Sequence, residues 1–368
     1  MRVLVTGTIA GLPEVEYFHA LIGMAGFEGI PFEYYDLVEA LEATGGKKLY
    51  RLLGATNYLF EVLREREYRK IGFRMEQRHT KNAVIRVPAT IQWDGINVKL
   101  KDLKEIAEYV RPDVVVTLID SEWDIVSRIM ATENNPICDN IKKAGCDHTA
   151  VLTWTGEEVS LSEDWAKAMG IRHYVIPVNQ HPLSLYKLVR HASVPSFYVS
   201  YSMTHADESI RSVINSTVKR LCGFGLVIDP QAIEIPKAPL SDRDRRITRA
   251  FTVHRDLHMF VGKVDAVVAI HPYDDRPPLS TGMMDELGHA RDYFKERYMI
   301  FPGGRSPFTT NSYIEESHVF ADAESFFEHL ALRHGYEPLN FPEELKDVPW
   351  DANPLKQKTE EEPCRQFP

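Results

Sequence analysis

Two adjacent carboxylates, Asp285 and Glu286, stand in the stretch STGMMDELGHA (Ser280–Ala290), an otherwise small and apolar run. A charged side chain is costly to bury unless it is paired or used. A carboxylate beside a sugar can stabilise positive charge developing at the anomeric carbon, or attack that carbon to form an ester. A second acid that carries a proton then helps the leaving group depart. Asp256, in the stretch VHRDLHMF, is the candidate for that second acid. A plainer reading stands beside this one, because acids near the start of a short helix are favoured by the helix dipole.

A second constellation lies at the N-terminus. VTGTIAGLP follows an apolar run, where a phosphate-binding loop would sit. Such a loop reads G-x-x-x-x-G-K-[ST]: its glycines let backbone N–H groups cradle phosphate and its lysine neutralises the charge. Gly7 fits the first glycine, but Leu12, Pro13 and Glu14 occupy the glycine, lysine and hydroxyl positions, and Gly11 comes one place early. Weak or absent phosphoryl transfer is therefore expected. Lys47 and Lys48 are candidates to replace the missing charge, with a solvated helix start as the alternative. Asp120, at a strand end, reads either as a magnesium ligand or as a helix cap. Cys138, Cys146 and His148 fit no standard zinc spacing, so no metal site is assigned.

The elements that must position these groups follow from hydrophobic patterning. RVLVTG, PDVVVTLID (Pro112–Asp120) and RHYVIPV (Arg172–Val178) read as buried parallel strands, with helical stretches such as Lys101–Val110 and Trp123–Met130 between them. A second cycle follows: SFYVSYS (Ser196–Ser202), an amphipathic helix in Ala206–Gly225, then LVI, VDAVVAI (Val264–Ile270) and YMIFP (Tyr298–Pro302). Strands alternating with helices indicate α/β domains. The reading is two Rossmann-like three-layer α/β domains, over residues 1–190 and 195–334, with an extended or disordered acidic tail over 335–368 that Phe341 and Trp350 can anchor in part. Ligands in such sheets gather at the C-terminal ends of strands. Tyr198, Ser200, Asp274 or Asp275, Glu286 and Asp256 can all reach that crevice, and Gly282 allows close approach of a ligand.

The 368 residues carry a formal net charge of −10, which argues against broad nucleic-acid or membrane binding. No apolar run is long enough to span a membrane. Four cysteines without a CxxC pair suit free thiols, and a cytoplasmic location is expected.

The N-terminal half resembles archaeal-type adenylate kinases of the P-loop nucleoside monophosphate kinase group, on the strand and glycine loop, on NAVIRVPATI (Asn82–Ile91) and on RPDVVVTLIDSEWDIVSRI (Arg111–Ile129). The resemblance implies a P-loop NTPase-like fold with a degenerate loop at Gly7 and Gly11, and a nucleotide sensor or scaffold rather than a kinase. Magnesium would enter only with a nucleotide bound there. The C-terminal half resembles the nucleoside 2-deoxyribosyltransferase superfamily, which includes the 2'-deoxynucleoside 5'-phosphate N-hydrolases, on RDL, DAVVA and G-x-x-x-E-L-G-x-A in that order. This implies a nucleoside deoxyribosyltransferase-like fold, Glu286 as nucleophile, Asp256 as catalytic acid or base, and Tyr198 lining the site. It implies hydrolase or transferase action on a nucleoside or nucleotide without a required cofactor, in a homo-oligomer whose pockets are shared between subunits. The family's glycine-rich first loop is replaced by SYSMTHAD. Arg255, with Arg245, Arg246 and Arg249, is a candidate for a 5'-phosphate, with exposed helix arginines as the alternative; His254, His258 and His289 are expected to flank the site or pair with acids. Two rival readings remain, cleavage of the nicotinamide bond of NAD and a catalytically silent nucleotide-binding or scaffold protein.

Overall fold

Strands made of uninterrupted Val, Ile and Leu must be covered on both faces, and two parallel sheets answer that demand. In the computed structural model, the residues described are 1–8, 14–45, 49–53, 57–191, 193–202, 206–233, 242–273, 280–303 and 314–346. The chain divides into two compact units, one built on Met1–Ala192 and the other on Ser193–Gln231 and Leu240–Glu343, with Ala232–Pro239 and Glu344–Pro368 grouped with the first.

The sheet of the first unit contains β1 (Arg2–Gly7), β2 (Glu33–Asp36), β3 (Ala83–Arg86), β6 (Val114–Ile119) and β7 (Arg172–Pro177). Their order is β2-β3-β1-β6-β7, all parallel. A small antiparallel hairpin, β4 (Thr90–Trp93) and β5 (Ile96–Lys99), turns on Asp94 and Gly95, at φ of 50° and 75°. Positive φ at both central residues is the type I′ requirement, and Asp-Gly meets it at low cost. The long helix α8 (His148–Met169) packs on β1, β6 and β7. Asp147 caps its start by accepting from the Ala150 N–H at 2.7 Å, and Gly170, at φ 68°, ends it.

The sheet of the second unit contains β8 (Ser196–Tyr201), β9 (Leu226–Ile228), β10 (Ala266–Ile270), β11 (Glu296–Ile300) and β12 (Val319–Phe320), in the order β9-β8-β10-β11-β12, again all parallel. In chain order this is 2-1-3-4-5, a doubly wound arrangement whose winding reverses between β8 and β10. The core gathers Phe197, Val199, Val268, Ile270, Ile300 and Phe326. Helix α12 (Thr281–Asp292) buries Met283, Leu287 and Ala290, spaced i, i+4 and i+7, on one stripe. Leu287 is fully buried, and its truncation to Ala would cost about 2–5 kcal/mol. Glu286 flanks that stripe. The described part of the C-terminal segment beyond Gly335 is irregular up to a short helix at Glu343–Lys346 and is anchored: the Leu339 N–H donates to the Gly223 carbonyl at 2.6 Å, and Phe341 is buried. Trp350 lies outside the described residues.

Candidate active site

Beginning with the strands, β8 and β10 run side by side with Tyr198 opposite Val267 and Ser200 opposite Ala269. Alternate residues of a strand share a face, so Tyr198 and Ser200 project together toward α12. Ser280 caps α12, its hydroxyl accepting from the Met283 N–H at 3.2 Å. This start places Glu286 in the second turn, over those two side chains. The Tyr198 hydroxyl donates to Glu286 Oε1 at 2.7 Å, and the Ser200 hydroxyl donates to Oε2. Both carboxylate oxygens are thus held by neutral donors.

Burial dominates the electrostatics of this carboxylate. It pushes the Glu286 pKa up from 4.5 to about 7; the Ser200 and Tyr198 hydrogen bonds pull the other way, and the charges of Asp256 and Asp285 add to the rise. Tyr198 is fully buried and its phenol is driven well above its ordinary value, first by burial and then by Glu286 and Asp256, so it stays a donor. Its ring stacks with Phe260, centroids 6.3 Å apart.

Asp256 reaches the same place from another element. Helix α11 (Asp242–His254) continues into a π-helical stretch, Arg255–Val261, packed against α12. Asp256 accepts from Arg255 Nε at 2.9 Å, and Arg255 is itself buried, its guanidinium 5.9 Å from the Phe260 ring centroid. Burial raises the Asp256 pKa and the arginine opposes it. Two carboxyl groups that each hold a proton more tightly than usual therefore share one locality, and the charge of Asp256 is felt at Glu286.

The structure brings together Tyr198, Ser200, Asp256, Arg255 and Glu286. Arg255 is engaged with Asp256, while Arg246 and Arg249 are exposed on α11. Gly282 lies exposed in the first turn of α12, where an added Cβ would meet nothing within 4 Å. No neighbouring group of the chain therefore requires glycine there. Asp285 points to solvent. Asp274, Asp275, Gly11, Lys47 and Lys48 lie outside the described residues. The His254, His258 and His289 rings follow one another at 4.8 and 4.7 Å, and Tyr293 stacks on His289 at 4.4 Å. Among the described residues, no group of three or more His, Cys, Asp or Glu side chains is arranged to hold a metal.

Sequence reasoning missed two further carboxyl groups. Asp229, at the end of β9, accepts from the Tyr201 hydroxyl at 2.6 Å, and burial raises its pKa. An aspartate directly after LVI was the available signal. Glu158, in α8 of the first unit, is buried and accepts from the backbone N–H groups of Gly7 (2.9 Å), Ala89 (2.8 Å) and Thr90 (2.6 Å) and from the Thr90 hydroxyl. Burial nonetheless lifts its pKa to about 7. The amide of the first loop glycine is thus satisfied by an internal anion. Asp120 is likewise committed, accepting from Arg128, from Asn179 Nδ2 at 2.6 Å and from the Ser121 N–H at 2.7 Å. Neither the cap nor the magnesium reading anticipated this ion pair.

No protein-family model matches the chain, and no curated protein matches it. Among solved structures 41 chains match. One is the shikimate kinase of Bacteroides thetaiotaomicron, at 13% identity and a TM-score of 0.32, covering 48% of this chain and 86% of that one. What the structure establishes is a mixed α/β chain with two parallel sheets, in which no described helix is long and apolar enough to cross a membrane.

Proposed function

We propose that the second unit cleaves or transfers at the N-glycosidic bond of a nucleoside or nucleotide, in the manner of the nucleoside 2-deoxyribosyltransferase superfamily. The observation that carries this reading is the Glu286 carboxylate, gripped by Tyr198 and Ser200 beside Asp256 at the winding switch of the sheet. As the bond from the anomeric carbon to the base breaks, a Glu286 oxygen attacks that carbon and forms a glycosyl ester. Asp256 gives its proton to the departing base. Water, or a second base, then attacks the anomeric carbon and returns it from the ester, with Asp256 taking back the proton. Tyr198 and Ser200 keep the carboxylate aimed and lower its proton affinity.

The first unit is proposed as a P-loop-derived nucleotide sensor or scaffold, supported by the Glu158 carboxylate on the Gly7 amide and by the Arg128 pairing of Asp120. The whole is proposed to act in the cytoplasm as a homo-oligomer. The test is to incubate the full chain with a panel of nucleosides, nucleotides and NAD, and to detect free base by chromatography, with the Glu286→Gln variant as control. Release of adenine, guanine or a pyrimidine that needs Glu286 supports the reading. Release of nicotinamide alone redirects it to NAD. No release from any member rejects it in favour of a silent binding protein.

A further inference from the structure

The first unit carries a pocket of about 360 Å³ that the reaction above does not use, between the N-terminal half of helix α4 (Asn57–Gln77) and the chain at Lys101–Glu105. Its volume falls in the range of small-molecule sites. Four acids line it, Glu61, Glu65, Asp102 and Glu105, against two bases, Arg64 and Lys101. Much of this charge is already matched. Asp102 accepts from Arg64 Nε at 3.0 and 3.1 Å and from the Tyr68 hydroxyl at 3.0 Å. Glu65 accepts from Arg69 at 2.8 Å. Among the described residues that line the pocket, Lys101 is then left to match Glu61 and Glu105, which leaves one negative charge in excess.

Arg64 supplies the second observation. The residue is only 5% exposed, and its guanidinium lies 4.5 Å from the Phe60 ring centroid. Its Nε is spent on Asp102, yet Nη1 and Nη2 have no hydrogen-bond partner among the described residues. A guanidinium held this deeply, with the open end of its fork unmet, suits a planar two-oxygen acceptor. At the rim, the Tyr58 ring is 76% exposed, a face on which a cation can rest.

We propose that this pocket binds a cationic amino acid, its carboxylate on the Arg64 fork and its side-chain cation between Glu61, Glu105 and the Tyr58 ring. Such a ligand carries one net positive charge, which cancels the excess. The class follows from needing both ends at once: a simple anion would meet Glu61 and Glu105, and a simple diamine would leave the Arg64 fork empty. The inference stands apart from the Glu286 chemistry, so the two can fail separately.

The experiment is calorimetric titration of the full chain with L-lysine and L-arginine, alongside L-norleucine, which lacks the side-chain cation, and cadaverine, which lacks the carboxylate. One equivalent of L-lysine or L-arginine should bind, and the two truncated probes should each bind at least about tenfold more weakly, the scale of one charge-assisted contact. Glu61→Gln, at an exposed side chain, and Arg64→Lys, which keeps a cation for Asp102 but loses the fork, should each weaken binding by a similar factor. Cadaverine binding as tightly as L-lysine would reduce the pocket to an acidic patch. Norleucine binding as tightly would remove the role of Glu61 and Glu105. No heat from either basic amino acid at about 10 mM, the weak end of specific recognition, would also overturn the proposal.

Discussion

Replacing Tyr198 with phenylalanine should raise the pKa of Glu286. The substitution removes one oxygen and leaves the ring, which is fully buried and stacked with Phe260 at 6.3 Å, so the fold should persist. The lost contact is the 2.7 Å hydrogen bond to Oε1, which favours the ionised carboxylate. A hydrogen bond to a charged acceptor is worth about 1.5–3 kcal/mol, equivalent to about 1–2 pKa units. The value of about 7 should therefore climb to roughly 8 or 9. The assay is a pH titration of side-chain carboxyl carbons by 13C NMR, with the Glu286 signal assigned by its absence from the Glu286→Gln variant. If base release is measured as well, the acidic limb of its pH profile should move by the same amount, because the proposed nucleophile works only when ionised. A pKa that stays near 7 or falls would show that Tyr198 does not stabilise the carboxylate, and would undo the assignment of Tyr198 as a positioning residue.

Glu286→Gln should abolish base release and change how stability depends on pH. The folded pKa lies above the unfolded one, so the proton stabilises the fold fully below about 4.5 and that contribution is lost as pH rises to about 7. Above pH 8 the variant should be more stable than the parent by up to about 3 kcal/mol, and near pH 4 the two should match; urea melts followed by circular dichroism decide it. Asp256→Asn should slow base release by about 100-fold or more, and less for substrates with better leaving groups; equal loss across leaving groups would assign Asp256 to positioning. The full chain should show no robust ATPase or nucleotide kinase activity, since the Gly7 amide and Asp120 are both occupied internally; magnesium-dependent transfer to a nucleoside monophosphate would reverse that. Light scattering should find at least a dimer, with Phe294, 96% exposed at φ 56°, as a contact, and Phe294→Ser should shift the equilibrium toward monomer; an unchanged mass would move the interface elsewhere.

The strands were the most legible part of the chain. β1, β6, β7, β8, β9 and β10 lie within the apolar runs that announce them, because a strand buried on both faces has no polar alternation to confuse the reading. The Asp-Gly turn between β4 and β5 was equally plain in QWDGINV but was not used. At the site, Glu286, Asp256, Tyr198 and Ser200 were individually visible, and the structure adds that the last two hold the two oxygens of the first. Glu158 was not legible. It sits in a helix among other acids, and its role depends on Gly7 and Ala89, 151 and 69 residues away along the chain. Backbone amides leave no mark in a sequence, so a side chain that serves them leaves none either. Arg255 was a candidate for a 5'-phosphate, with an exposed helix arginine as the alternative; its burial beside Phe260 depends on the path of the π-helical turn, which no residue pattern specifies.

That turn has a counterpart. Ile106–Val110 precedes β6 in the first unit, as Arg255–Val261 precedes β10 in the second, and both are π-helical. A π turn accommodates roughly one residue more than an α turn. Each stretch therefore behaves like an insertion that the helix has absorbed without breaking. Deleting Leu257 alone would let the helix rewind to α, and the helical segment just before it would rotate by about 100° relative to Phe260 and the strand beyond, the angle one residue subtends in an α-helix. Asp256 would swing away from Glu286 while the sheet, the caps and α12 stayed in place. Such a chain would fold and keep its carboxylate grip, yet lack the proposed proton donor. Deletions of one residue along the 255–261 stretch would thus separate catalysis from folding more cleanly than any side-chain exchange.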